Sequence, residues 1–234
     1  MADLVSDARA YVTRALRELA DPDKATGMQA YMKTDMPFFG VQKPQRTPVY
    51  RHLIKEFPPV DRQGYEDLVL GLWELPHREE KYLALGVASG HRRFVVPDSI
   101  HLYRRLIVEG AWWDFVDTIA TDLIRHLVLE YPDEVWEVVG SWVDDEDMWL
   151  RRTAILCQVG AKERTDPVRL FDFCLRRAHE KEFFIRKAIG WALREYAKTD
   201  PHAVADFAKA NRDRLSGLSF REGTKHIQYL VEAI

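Results

Sequence analysis

Trp149-Leu150-Arg151-Arg152-Thr153-Ala154-Ile155 can be laid over Phe184-Ile185-Arg186-Lys187-Ala188-Ile189, and on that overlap rests the architecture. Both segments run aromatic, apolar, basic, basic, then small or branched apolar. Glu80-Lys81-Tyr82-Leu83-Ala84-Leu85 fits the scheme more loosely. A recurrence of roughly 35 residues is the mark of stacked helix pairs, each of which buries its apolar face against the next. The expected fold class is all-α, a single solenoid of antiparallel helix pairs whose curvature leaves a concave groove.

The rest of the chain keeps the same beat. Leu4, Ala8, Tyr11, Val12, Ala15, Leu16 and Leu19 outline an amphipathic helix from Asp3 to about Ala20, stopped by Asp21-Pro22-Asp23. A short helix with Met28, Tyr31 and Met32 follows, and Met36-Pro37-Phe38-Phe39-Gly40-Val41-Gln42-Lys43-Pro44 predicts an aromatic-rich loop. Helices are then expected over about Thr47 to Phe57, Gly64 to Leu75, Arg78 to Ala88, Asp98 to Val108, Ala111 to Tyr131 and Asp133 to Val143. Others follow over about Asp147 to Val159, Pro167 to His179, Lys181 to Lys198, Pro201 to Leu215 and Phe220 to the end. Strand alternation never persists, and no low-complexity linker interrupts the chain, so 1–234 reads as one domain.

Composition narrows the class. The 234 residues are 47% apolar and 30% charged, as expected of a soluble globular protein. No apolar run approaches the ~20 residues that span a bilayer, and the acidic start Met-Ala-Asp-Leu-Val-Ser-Asp lacks the pattern of a signal peptide. A cytoplasmic, monomeric protein without membrane contact is expected. Cys157 and Cys174 sit in apolar helical patterns, and the eight histidines lack ligand spacing, so neither a metal nor another cofactor is expected. The net charge of −3 argues against nucleic acid only if taken as a sum. Acidic residues gather at helix starts, as in Asp144-Asp145-Glu146-Asp147, while basic residues lie inside helices beside aromatics. Like charge on one face can bind an anion while the total stays negative.

Two segments carry candidate chemistry. In Trp112-Trp113-Asp114-Phe115-Val116-Asp117, helical spacing puts Trp113 and Asp117 on one face, an indole beside a carboxylate. Such a patch suits a cation. Tryptophan in an amphipathic helix is ordinarily core, but adjacent indoles lie about 100° apart on a helix and cannot both point inward. In Lys181 to Tyr196, spacing groups Phe184, Lys187 and Trp191, an interleaving of aromatic and basic groups that suits nucleic acid. Gly190 costs its helix about 1 kcal/mol, so it makes room either for close helix packing or for a ligand beside Trp191.

The combination of Tyr31-Met32-Lys33, Phe39-Gly40-Val41-Gln42-x-Pro44-x-Arg46, Trp112-Trp113-Asp114-x-Val116-Asp117, Trp149-Leu150-x-Arg152 and Glu182-Phe183-Phe184-Ile185-x-Lys187-Ala188-Ile189-Gly190-Trp191 resembles the AlkD family of DNA alkylation-repair glycosylases. The likeness runs over most of the chain. It implies a solenoid of HEAT-like repeats that cradles duplex DNA and releases purines alkylated at N3 or N7; with no lysine assigned a Schiff-base role, a monofunctional enzyme that leaves the strand uncut is expected. By that resemblance Trp113, Trp191 and Asp117 are catalytic, Arg152 holds the lesion-strand backbone, and Tyr31, Phe184 and Lys187 are further DNA contacts. The resemblance also implies engagement of the backbone around the lesion without a base-reading pocket. A non-catalytic HEAT-repeat scaffold that binds DNA structure or a protein is the competing class. Asp117 beside two indoles discriminates, because a scaffold gains nothing from a carboxylate where phosphates must dock.

Overall fold

The computed structural model describes residues 2–231, with side chains from Leu4 onward. Every regular element among them is helical, arranged in the stacked manner of a helical solenoid. The chain forms two compact units, residues 1–95 and 96–234. Nothing in the composition near Val95 and Val96 marks that division.

The first unit holds α1 (Ala2–Glu18), α2 (Pro22–Met32), α3 (Lys43–Glu56), α4 (Arg62–Trp73) and α5 (Arg78–Gly90). Helix α1 packs on α3, α4 and α5, and α4 on α5. Val12, Leu16, Leu53, Leu68, Leu72, Leu83 and Val87 are fully or almost fully buried in its core. Asp21-Pro22 both ends one helix and begins the next, since the Asp21 carboxylate accepts the Lys24 N–H while Pro22, with no N–H to lose, fills the first turn. Helix α3 starts at Lys43, earlier than the prolines suggested, because Pro44 sits in its first turn, where no amide bond is lost.

The second unit contains α6 (Ile100–Gly110), α7 (Trp113–Thr118), a π turn over Ile119–Ile124, α8 (Arg125–Glu130), α9 (Pro132–Trp142), α10 (Met148–Leu156), α11 (Pro167–Arg176), α12 (Phe183–Tyr196), α13 (Pro201–Ala210), α14 (Gly217–Gly223) and α15 (Gln228–Val231). One layer runs α7, α10, α12, α14, each packed on the next; α9, α11 and α13 alternate with it along the chain. The alternating layer is held by aromatic contacts, such as the Phe171 and Phe207 rings stacked with centroids 4.3 Å apart. Asp147, Asp166, Asp200 and Ser216 cap the starts of α10, α11, α13 and α14, each worth about 1 kcal/mol.

Two expectations change here. The helix expected from Phe220 to the end is instead α14 and α15, broken at residues 224–227, and residues 232–234 lie outside the described residues. The stretch from Ala111 to Tyr131 is helical but contains the π turn directly after Asp117 and Thr118. Cys157 and Cys174 are buried, as their apolar surroundings suggested, and burial pushes both thiols well above the ordinary range. No helix among the described residues is long and apolar enough to cross a membrane.

Candidate functional site

Helix α7 begins abruptly. Ala111 takes a left-handed conformation and Trp112 an extended one, so the chain turns sharply before Trp113 starts the helix. The Trp112 ring enters a cluster with Trp149 of α10 and Phe184 of α12, with centroids 6.0 and 5.6 Å away. Trp149 and Phe184 are themselves 5.0 Å apart. Trp113 and Asp117 lie one turn apart on α7, both half-buried. The π turn that follows Asp117 and Thr118 widens the helix, and the Thr121 hydroxyl donates to the Asp117 carbonyl at 2.7 Å. Such turns are often found at functional sites.

Asp117 has one dominant partner. Arg152 Nε donates to Oδ1 at 2.7 Å and its Nη2 donates to Oδ2 at 2.9 Å, a two-pronged pair. Its Nη1 donates to the Phe184 carbonyl at 2.5 Å. One guanidinium therefore ties α7, α10 and α12 together. The Arg152 side chain is 6% exposed, and the Asp117 side chain 17%. Burial raises the Asp117 carboxyl above its ordinary value, and the hydrogen bonds and charge of Arg152 pull it partway back.

The expected site residues divide into three groups. Asp117, Arg152 and the Phe184 backbone are joined by direct hydrogen bonds. Trp113 shares a helix with Asp117; Trp191 and Lys187 share α12 with Phe184, all on the layer that α10 bridges. Tyr31 lies in the other unit, near the end of α2, where it is 75% exposed. It lines an open cleft of about 360 Å³ with Met28, Met32, Phe38, Gln42 and Tyr82.

The geometry bears on four of the residues singled out in the sequence. Arg152, expected on the DNA backbone, is buried and spends three of its five N–H groups inside the protein. The Phe184 ring packs into the aromatic cluster and is half-buried rather than fully presented. Gly190 serves close packing: a Cβ there would collide with the Glu222 side chain and crowd the Ser219 carbonyl of α14. Glu222 was not visible in the sequence. It accepts from Lys187 Nζ at 3.0 Å and from Arg194, so Lys187 is ion-paired rather than bare.

A stack of helices in which one guanidinium ties a carboxylate of α7 to α10 and α12, with Trp113 and Trp191 carried on the same layer, is the frame of a helical-repeat protein. A family model for the DNA alkylation repair enzyme matches residues 12–227. The chain belongs to that family. A solved chain described as "Predicted DNA alkylation repair enzyme from Enterococcus faecalis" is 30% identical, covering 89% of this chain and 96% of its own length with a TM-score of 0.82. No curated protein matches.

Proposed function

We propose that this repair enzyme is a monofunctional DNA glycosylase that hydrolyses the N-glycosidic bond of N3- or N7-alkylated purines in duplex DNA. It acts as a monomer, without cofactor, and leaves an abasic site. Alkylation gives the purine a positive charge, so the base departs neutral with the bonding electron pair and needs no protonation. Positive charge moves onto the deoxyribose, an oxocarbenium-like transition state of the kind carboxylates stabilise in glycoside hydrolysis. Asp117 faces that charge and aligns the water that adds to the sugar carbon and loses a proton. Trp113 and Trp191 pack on the sugar and share its charge, worth about 2 kcal/mol when desolvated. Arg152 orients Asp117, and its two remaining N–H groups are what it has left for a lesion-strand phosphate. Tyr31, Phe184 and Lys187 supply further DNA contacts.

The observation that carries the reading is the pairing of Asp117 with Arg152. The guanidinium fixes both carboxylate oxygens while part of the group stays exposed, so a charge is held in place in a poorly hydrated setting. Incubating the protein with methylated duplex DNA and identifying the released species by mass spectrometry tests it. Free 7-methylguanine or 3-methyladenine with an intact, alkali-labile strand is expected. Release of neither base, or a strand cut without alkali, would overturn the proposal.

A further inference from the structure

The face of α12 that carries Trp191 is flanked by cations. Lys187 precedes Trp191 by one turn and Arg194 follows it by about one, and helical spacing aligns the three. Both cations converge on one carboxylate: Lys187 Nζ donates to Oε1 of Glu222 at 3.0 Å, and Arg194 Nη1 donates to Oε2. Gly190, between them, admits Glu222 because it has no Cβ to collide with it. The hydrogen bond from Lys187, joined by that from Arg194, holds the Glu222 carboxyl below the ordinary range. The cluster is nevertheless wet. The Lys187, Arg194 and Glu222 side chains are 38%, 25% and 26% exposed, so solvent screens both pairs and a ligand can reach them.

A carboxylate that offers one oxygen to an ammonium and the other to a guanidinium does what the two free oxygens of a phosphodiester do. We propose that Glu222 is an internal stand-in for a DNA phosphate: it neutralises Lys187 and Arg194 in the free protein and is displaced when a backbone phosphate docks beside Trp191. This rests on reading the α7, α10, α12, α14 layer as the DNA face. The exchange sets the two cations in their binding positions beforehand and weakens docking on any duplex. Glu222 thereby limits how long the enzyme dwells on undamaged DNA.

Binding of an undamaged duplex, followed by fluorescence anisotropy across a KCl series, tests the exchange. The proteins compared are the wild type, Glu222→Gln, Lys187→Met, the double variant, and Glu195→Gln. The last removes the same charge from α12, where Glu195 pairs with Lys198. Glu222→Gln is expected to tighten binding about fivefold at fixed salt, with Lys187→Met reversing the gain and Glu195→Gln producing none. Lys187→Met alone is expected to flatten the slope of log K against log salt by about 0.9, which keeps the proposal open to refutation if Glu222→Gln does not fold. Steep wild-type salt dependence with Glu222→Gln and Lys187→Met unchanged would overturn the exchange alone. Equal tightening by Glu195→Gln would reduce the effect to net charge and also overturn it. Absence of salt-dependent binding by the wild type would overturn the DNA reading and this proposal together.

Discussion

Glu79 and Asp117 are carboxylates held in opposite ways. Glu79 opens α5 in the first unit, has no exposure, and accepts the backbone N–H groups of Phe39, Gly40 and Val41 at 2.8–3.0 Å. Its task is completed within the protein. It closes the loop that ends at Gln42, where Gly40 takes a positive φ and lies against the Asp21 carbonyl so tightly that no side chain fits. Asp117 in the second unit has both oxygens steadied by one guanidinium and keeps part of its surface open. The difference teaches where each charge can be used: a carboxylate wrapped in amides stabilises a fold, whereas one held by a single guanidinium and left partly open is the one the proposed chemistry draws on.

The contrast predicts different failures. Glu79→Ala leaves three buried amides without acceptors, at about 1–3 kcal/mol each, so denaturant unfolding should show a loss of at least about 3 kcal/mol. A smaller loss would mean the loop finds other acceptors. Arg152→Met should lower single-turnover base release on the order of tenfold to a hundredfold, because Asp117 loses its orientation. It should also move the acid limb of the rate profile to higher pH. The sign follows from the opposing influences on Asp117, which must be ionised to act: burial raises its pKa and Arg152 lowers it, so without Arg152 protonation begins at a higher pH. An unmoved limb would separate Arg152 from the titration of Asp117. Gly190→Ala should cost about 1–3 kcal/mol of stability through overpacking against Glu222; a neutral result would return Gly190 to the role of making room for a ligand.

Much of the second unit was legible because its chemistry follows the repeat. The aromatic-basic scheme recurs at roughly 35 residues, and Asp117 with Arg152, like Lys187 with Glu222, pairs across a separation of 35. Stacking one repeat on the next makes those contacts. The sequence pattern located the helices but not which basic residue would be consumed by a partner, since Glu222 belongs to no motif and Gly190 was open to two readings. The first unit was harder. Arg78, Glu79 and Glu80 are consecutive charged residues and all are buried, against the habit of such side chains. Arg78 donates to the Tyr82 hydroxyl one turn on and one Glu80 oxygen caps the His77 N–H, but Glu79 and the other Glu80 oxygen are satisfied from distant segments, by the Phe39 to Val41 amides and the Thr13 hydroxyl. Helical periodicity carries no trace of such long-range pairing.

Single-turnover release of 7-methylguanine by Asp117→Asn, with duplex affinity measured on the same preparation, addresses the role given to the carboxylate. If Asp117 stabilises the sugar cation, release falls by at least about tenfold, equivalent to ~1.4 kcal/mol, while the duplex still binds. Release at the wild-type rate would remove Asp117 from the chemistry and contradict the account.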